Sequence, residues 1–379
     1  MRQDNRMRES DMVDAEAAAG RPFVDASGER ERMPRFWRAF KVSREEIDGE
    51  IDRLKAIARP ANGRRLSHIV HPQSTTNSIT PGIRASIEVI MPGEVVELPA
   101  TNASSVRICI EGRGEARIDN KAFEVGRLDT WSTPNMAIQT YANRGAAPHV
   151  RLMFSDAPLL EHLHALYVSD GTAAEAPAAE GEGEAARHQR HPMADFVHSL
   201  PTGGGALKTY HAFIDPEVVE QTALLWRWEE VKAFLNDMDK DTPDLRAAII
   251  AMYWNPSTGR THGSTNTITA WMSGGVDPNW TGRKWDMARS HRHNVTALNY
   301  AVAGNWKTIV EREEILWGPG DLVLTAPAWA AHSNGRFDRE AYTFAIQDNA
   351  LLGALNGTIM QEYVNRPPLH LGARPGFEA

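Results

Sequence analysis

The chain of 379 residues contains two stretches whose landmark residues recur at one constant spacing. A turn glycine and two aspartates each recur 192 positions later in the chain. The matched pairs are Gly112 and Gly304, Asp129 and Asp321, and Asp156 and Asp348. Three landmarks at one spacing indicate the duplication of a single structural unit. This repeat constrains the chain to fold as two copies of one domain.

Short apolar runs separated by Gly, Pro and Asn fill both copies, over about 66–160 and 248–355. The run 106–110, for example, ends at a turn that contains Gly112. Strands of this length at regular turn spacing are typical of β-sandwiches and β-barrels. We therefore predict an all-β fold with two tandem barrels.

A helix is predicted ahead of the first copy. Ser43 and Glu46 have the spacing of a capping box, in which each side chain accepts a hydrogen bond from the other residue's backbone amide. Apolar residues then follow at helical spacing, at Ile47, Ile51, Leu54 and Ile57. Pro60 is expected to end the helix, so the barrels should be preceded by a helical arm.

Charge and cysteine content exclude several classes of partner. The chain has 41 Lys and Arg against 49 Asp and Glu, a formal net charge of −8, which argues against nucleic acid or an anionic membrane as a partner. The single cysteine, Cys109, cannot form an intrachain disulfide and fits a reducing cytosol. The N-terminal stretch is charged and lacks the apolar core of a signal peptide or membrane span. We expect a cytoplasmic protein.

Three histidines in the second copy have the spacing of a metal site. His291 and His293 are separated by one residue, so on a β-strand their side chains share one face. His332 follows a turn and a further strand, just past Pro327. Three neutral imidazoles from two neighbouring strands would bind a metal on one side and leave other coordination positions open.

The first copy has no imidazole at the matching positions. The spacing of 192 places Pro99 opposite His291, Thr101 opposite His293, and Thr140 or Gln139 opposite His332. The first barrel is therefore predicted to be free of metal, with a structural or oligomer-forming role. The predicted segments are an arm with a helix (1–65), a barrel without metal ligands (66–168), an acidic Ala/Gly/Glu linker (169–192), a connecting helical segment (193–247), a barrel with a metal site (248–360) and a tail (361–379).

These motifs resemble those of the cupin superfamily, whose fold is a jelly-roll barrel. The matching residues are His291-x-His293, Gly304, Gly320-Asp321 and Pro327-x-Trp329-x-x-His332. Most cupins have a glutamate four residues after the second histidine, where this chain has Ala297. That absence resembles the three-histidine ring-cleaving dioxygenases for gentisate, salicylate and 1-hydroxy-2-naphthoate. The resemblance covers roughly residues 66–360, although the gentisate-type enzymes usually hold the metal in the N-terminal half.

The resemblance implies an Fe(II)-dependent dioxygenase in aromatic catabolism. Such an enzyme inserts both atoms of O2 into a small monocyclic hydroxylated aromatic, of the gentisate, substituted salicylate or hydroquinone type. It also implies a homo-oligomer, tetrameric or dimeric. Because zinc accepts three imidazoles as well, two alternatives stay open. One is a metal-dependent cupin isomerase or hydrolase, and the other is a bicupin that binds a small molecule without turnover.

Several residues near the triad are candidates for contact with the substrate. Arg289 shares the face of His291 and His293, so it is placed either to act on an anionic oxygen or to form a salt bridge at the barrel mouth. Asn299 lies where salicylate-type enzymes carry an arginine for the substrate carboxylate. An amide cannot pair with a carboxylate in the bidentate manner of a guanidinium. The substrate either lacks that carboxylate or binds it through Arg289, Arg283 or Arg260.

Four further residues complete the candidate site. Asp348 matches an aspartate that supports the metal ligands in this family, and is otherwise expected to cap a helix near Leu351. Trp329 and Trp285 are placed either to wall an aromatic pocket or to pack in the barrel. His262, close to Arg260, is a lone histidine and a candidate for substrate contact.

Overall fold

The computed structural model describes residues 22–169, 190–202, 204–238, 250–276 and 290–372. Residues up to Arg35 form one unit, in which the described part contains a turn where the amide of Glu29 donates to the carbonyl of Ala26. The second unit begins at Phe36 and contains all the helices and strands of the described residues.

Strands dominate the second unit, as predicted. In chain order they are β1 (Phe40–Val42), β2 (Arg65–Ile69), β3 (Arg84–Ile90), β4 (Val95–Leu98), β5 (Ser105–Glu111), β6 (Gly114–Ile118), β7 (Lys121–Val125), β8 (Thr130–Thr133), β9 (Gln139–Ala142), β10 (His149–Ser155), β11 (Val197–Ser199), β12 (Ala206–Lys208), β13 (Leu225–Trp226), β14 (Ile250–Tyr253), β15 (Thr269–Val276), β16 (Arg292–His293), β17 (Ala297–Ala303), β18 (Trp306–Val310), β19 (Glu313–Trp317), β20 (Leu322–Ala326), β21 (His332–Arg336), β22 (Glu340–Gln347), β23 (Ile359–Gln361) and β24 (Leu369–His370). The α-helices are α1 (Arg44–Ala56), α2 (Ala157–His162), α3 (His211–Ile214), α4 (Trp228–Asp237) and α5 (Asn349–Ala354), and 3₁₀ turns lie at Pro192–Ala194 and Pro256–Thr261.

Two antiparallel barrels account for most of these strands. The first has a six-stranded sheet in the order β13-β8-β5-β10-β3-β2, which packs against the four-stranded sheet β4-β9-β6-β7. The second has a six-stranded sheet in the order β1-β20-β17-β22-β15-β14, which packs against the three-stranded sheet β19-β18-β21. Strands β16, β23 and β24 form a small sheet beside it. The predicted all-β fold of two tandem barrels is confirmed.

Each barrel completes its large sheet with a strand that precedes the other barrel. Strand β1 comes before the first barrel but pairs with β20 of the second, with Lys41 opposite Val323. Strand β13 comes before the second barrel but pairs with β8 of the first, with Leu225 opposite Trp131. Both strands lead directly into a helix, α1 and α4 respectively.

The main hydrophobic core lies where the two large sheets face each other. Phe154 of the first barrel lies 6.0 Å from Phe344 of the second between ring centroids. Both belong to one buried cluster that also contains residues from α1 and α4. Helix α1 is the predicted one, because its capping box between Ser43 and Glu46 is present and its apolar stripe is buried. Two smaller clusters fill the interiors of the separate barrels.

The helices are short. None in the described part of the chain has both the length and the apolar character needed to cross a membrane.

Candidate metal centre

The three predicted histidines lie together in the second barrel. His293 belongs to β16, and His332 is the first residue of β21. His291 and His332 form an antiparallel bridge, because each backbone amide donates to the other residue's carbonyl at 3.0 and 2.9 Å. This backbone pairing brings side chains that are far apart in the chain next to each other.

The ligand atoms of the triad lie within 4.8 Å of one another. The ring centroids are 5.4 Å apart for His291 and His293, 4.2 Å for His291 and His332, and 4.6 Å for His293 and His332. Metals bound by imidazole nitrogens lie about 2.0–2.1 Å from each nitrogen. Three nitrogens grouped on this scale, without a carboxylate in the group, fit a divalent ion held on one side.

Backbone carbonyls set the orientation of two of the rings. Nδ1 of His293 lies 2.9 Å from the carbonyl oxygen of Val295, and Nδ1 of His332 lies 3.0 Å from that of Ala330. Because a carbonyl oxygen only accepts, each Nδ1 carries the proton and each Nε2 keeps its lone pair. Metal-binding histidines commonly have such a carbonyl partner, which fixes the ring and its tautomer.

Burial keeps these imidazoles neutral. His293 is 7% exposed and His332 is 2% exposed. Burial, together with the neighbouring imidazole, lowers the pKa of each ring to about 3. Both rings are therefore unprotonated electron-pair donors at neutral pH, the form that binds a metal.

A pair of turns positions His332. Ala328 has a positive φ of 57° in the turn after β20. The amide of Ala331 donates to the Glu311 carboxylate at 2.7 Å, and the amide of Glu311 donates to the carbonyl of Ala331 at 2.7 Å. The turn before His332 is thus hydrogen-bonded to the turn between β18 and β19. These bonds limit the conformational freedom of the backbone that carries His332.

Asp348 is partly buried and holds the segment that follows His293. Its carboxylate accepts hydrogen bonds from the amide of Thr296 at 2.7 Å and from the Thr296 hydroxyl at 2.9 Å. Asp348 also stands at the N-cap of α5, but its side chain makes no capping hydrogen bond there. Burial raises the pKa of Asp348 to about 6, against the opposing effect of the bonds from Thr296.

Asn299 lies inside the second barrel with its amide group occupied. Its Nδ2 donates to the hydroxyl of Thr325 at 2.6 Å, and its Oδ1 accepts from the hydroxyl of Thr343 at 3.4 Å. These threonines lie on β20 and β22, the strands on either side of Asn299. The amide therefore ties three strands together.

Known proteins with similar sequences are dioxygenases. No known protein-family model matches the chain. Over 302 residues it is 25% identical to a 1-hydroxy-2-naphthoate 1,2-dioxygenase of Nocardioides sp. (strain KP7), covering 77% of this chain and 68% of that protein. Over 318 residues it is 23% identical to a 5-aminosalicylate 1,2-dioxygenase of Comamonas sp., covering 83% and 78%. A 5-nitrosalicylic acid 1,2-dioxygenase of Bradyrhizobium sp. is 30% identical over 141 residues, 36% of this chain and 65% of that protein.

The fold matches solved structures of salicylate 1,2-dioxygenase from Pseudaminobacter salicylatoxidans. One has a TM-score of 0.68 at 15% identity, covering 95% of this chain and 99% of that chain. Another, with gentisate adducts, has a TM-score of 0.70 at 14% identity, covering 97% and 96%. In sequence the chain is therefore similar to aromatic 1,2-dioxygenases, and its fold is that of salicylate 1,2-dioxygenase. The resemblance predicted from the histidine motifs is confirmed.

The remaining predicted site residues are not grouped around the three histidines. Trp329 is half-buried in the turn before His332. Arg260 and His262 are exposed on the 3₁₀ turn, where Arg260 donates to Asn356 and His262 packs against Trp254. Within the described residues, neither has a hydrogen bond or ring contact with the triad. Arg283, Trp285 and Arg289 lie outside the described residues.

The sequence pattern did not single out the threonines that support the site. Thr325 and Thr343 point to the same interior face as Asn299, and Thr296 carries the contacts of Asp348. Alternation along β20 and β22 is the signal that could have found the first two, since residues of one face repeat every second position. The contact of Thr296 with Asp348 crosses 52 positions and has no local signature.

Proposed function

We propose that this protein is an Fe(II)-dependent dioxygenase that cleaves a small hydroxylated aromatic ring with incorporation of both atoms of O2. One observation carries the proposal, namely the group of His291, His293 and His332 within 4.8 Å of one another. The dioxygenase activity named for the sequence relatives supports the reaction class.

The donor set fits a divalent iron. Three neutral imidazoles leave the positive charge of Fe(II) uncompensated and leave other coordination positions open. Iron held by His291, His293 and His332 would supply the redox chemistry for a reaction between dioxygen and the aromatic ring. Zinc fits the same ligands but lacks this redox chemistry, so the proposal depends on which metal supports turnover.

The chain's own residues orient the ligands. The carbonyls of Val295 and Ala330 hold the rings of His293 and His332 with Nε2 free. Asp348 anchors Thr296, three residues beyond His293, so the strand that carries the ligand has a fixed position.

The described interior offers little to a substrate carboxylate. Among the buried residues within 250–276 and 290–372 there is no arginine or lysine. The amide of Asn299 is already hydrogen-bonded to Thr325 and Thr343. A hydroquinone-type ring has no carboxylate and needs no cationic partner. The carboxylate of a gentisate or a salicylate needs either a cationic side chain outside these residues or direct binding to the metal.

Oxygen uptake by anaerobically Fe(II)-reconstituted protein tests the proposal. Gentisate, salicylate, 5-substituted salicylates and hydroquinone are offered in parallel, with Zn(II)-reconstituted protein as the control. We expect one O2 consumed for each ring lost, with decay of the aromatic absorbance, only in the iron form. Bound iron without oxygen uptake on any of these rings would contradict the proposal and favour an isomerase, a hydrolase or a binding protein.

A further inference from the structure

The interior of the first barrel contains a buried group of charged residues. Glu88, Arg107 and Arg151 lie on β3, β5 and β10, which are neighbours in the large sheet. Glu88 and Arg107 are each 2% exposed and Arg151 is 1% exposed. Charged side chains are almost never buried to this extent unless they are paired, so the pairing within the group decides what it does.

The pairing leaves an excess of positive charge. Arg151 Nε donates to Glu88 Oε2 at 2.8 Å, and Arg107 Nε lies 3.7 Å from the same oxygen. Arg64, at the edge of the group, donates to Glu88 Oε1 at 2.7 Å. Burial alone would raise the pKa of Glu88, but the guanidinium groups of Arg151, Arg64 and Arg107 hold it well below its usual value. One carboxylate thus faces two fully buried guanidinium groups and a third at the edge.

Three buried N–H groups beside this cluster have no acceptor among the described residues. They are Nε of Arg107, Nη1 of Arg151 and Nε1 of Trp131. All three belong to groups that only donate. Arg107 and Trp131 lie opposite each other on β5 and β8. Both ring nitrogens of the buried His149, two residues before Arg151 on β10, also lack a partner, but a neutral imidazole offers only one acceptor. A buried charge or donor without a partner is costly in the folded state, so three donors beside at most one acceptor indicate a missing acceptor.

One aromatic ring joins these donors. The guanidinium carbon of Arg151 lies 3.6 Å from the centroid of the Tyr141 ring, and that of Arg107 lies 5.1 Å from it. The Trp131 ring is 6.3 Å from the same ring. The Tyr141 face partly compensates the cations, but it cannot accept the in-plane N–H bonds. The side chains that carry the three donors therefore lie around one residue, Tyr141.

We propose that the interior of the first barrel binds one monovalent anion, a halide or a carboxylate, through Arg107, Arg151 and Trp131. The spacing of 192 matches Arg107 to Asn299, Thr133 to Thr325 and Arg151 to Thr343. The anion site therefore occupies the layer that Asn299 and its threonines occupy in the second barrel. The two copies have diverged into a cation site built on histidines and an anion site built on arginines.

Bromide tests the position of the site in the unaltered protein. A crystal of the full chain soaked in bromide should show an anomalous difference peak within hydrogen-bonding distance of Arg107, Arg151 or Trp131. Bromide stands in for any monovalent anion, and the measurement needs no variant that might fail to fold. Absence of a peak there, with bromide bound elsewhere in the same crystal, would overturn the proposal.

Thermal unfolding distinguishes the two kinds of anion. Sodium chloride and sodium benzoate are titrated separately at constant ionic strength, balanced with a bulky sulfonate. A saturable rise in unfolding temperature with chloride alone supports a halide, and one with benzoate supports a carboxylate. No saturable rise with either anion overturns the proposal.

Three variants separate this site from the metal centre. The response should persist in His293→Ala, which removes a metal ligand, and in Arg144→Met, which removes an exposed arginine of the same barrel. The anion concentration that gives half of the response should be at least about tenfold higher in Arg151→Met, because that variant removes a charged donor. A response that is lost in His293→Ala or unchanged in Arg151→Met would place the anion elsewhere.

Discussion

The backbone amide of Arg44, the first residue of α1, donates to Oδ1 of Asp321 at 2.7 Å. The other carboxylate oxygen lies 2.7 Å from Nζ of Lys41 and accepts from the amide of Gly318 at 2.9 Å. Asp321 lies in the turn between β19 and β20 of the second barrel. It therefore fixes the start of α1, the helix that precedes the first barrel. A negative charge at this place also interacts favourably with the positive end of the helix.

The same arrangement occurs at the matching aspartate. Oδ1 of Asp129 accepts from the amide of Trp228, the first residue of α4, at 2.9 Å. Oδ2 of Asp129 accepts from Arg227 and from the amide of Gly126, both at 2.9 Å. The two aspartates, which match each other in the internal repeat, thus make a reciprocal contact: each barrel fixes the strand and helix that lead into the other barrel.

Asp321→Ala should lower the free energy of unfolding by about 2–4 kcal/mol. The variant removes a buried carboxylate and leaves the amides of Arg44 and Gly318 without an acceptor, which costs about 1–3 kcal/mol for each buried group. Urea unfolding of the full chain measures the change. Asp48→Ala is the matched control, because its carboxylate pairs with Arg44 on the exposed side of the helix and should matter by less than about 1 kcal/mol. Equal stability of the two variants would contradict the contact.

His293→Ala should lose iron and oxygen uptake while the fold persists. It removes one of three donors and leaves a small cavity in a segment that Asp348 still anchors. We expect oxygen uptake to fall by more than about 100-fold. Loss of a group that only hydrogen-bonds to a metal ligand already lowers metal affinity or activity by about 10–100-fold. Iron content, oxygen uptake and circular dichroism are measured together. His262→Ala is the control, because this histidine is exposed on the 3₁₀ turn, and loss of iron there would contradict the site.

Local patterns predicted the elements whose partners are close in sequence. The capping box between Ser43 and Glu46 acts within one turn of helix. The alternation that predicts His291 and His293 on one side acts over three consecutive residues, and His332 could be added because the turn and strand before it have recognisable residues. These features depend on a few neighbouring positions, so composition and periodicity are enough to find them.

Contacts between distant parts of the chain were beyond such patterns. Asp321 was found as a landmark of the repeat, but its bond to Arg44 joins residues 277 positions apart. The pairing of β1 with β20 depends on how two barrels pack, which no local period encodes. Arg260 was a candidate for the substrate anion and His262 was considered because it lies close to Arg260, yet both side chains are exposed to solvent.

Ionisation of Asp348 should make stability depend on pH. Its pKa is raised to about 6 in the folded protein, above the ordinary value near 3.9 of an unfolded chain. Between about pH 4 and 6 the folded state holds a proton that the unfolded state releases, so the free energy of unfolding falls as pH rises through this range and is level above it.

Asp348→Asn should remove this contribution while keeping hydrogen bonds to Thr296. The difference in unfolding free energy between wild type and variant should change by up to about 3 kcal/mol from pH 4 to pH 7. Urea unfolding of chelator-treated protein at several pH values measures it, since metal binding has a pH dependence of its own. All other titratable groups are common to the two proteins, so we expect their contributions to cancel in the difference. Parallel curves for the two proteins would contradict the assignment.

Asn299→Ala should lower stability without changing the choice between substrates. The variant loses the hydrogen bonds to Thr325 and Thr343, which we expect to cost about 1–3 kcal/mol. If the amide served the substrate carboxylate instead, its loss would raise KM for gentisate relative to hydroquinone by about tenfold or more. We expect the KM ratio to stay within about threefold of wild type.

Thr308→Val, which removes an interior hydroxyl bonded to Asn334 and Trp317 of the same barrel, is the control for a general loss of interior polarity. A selective rise in the ratio for Asn299→Ala alone would show that the amide meets the carboxylate.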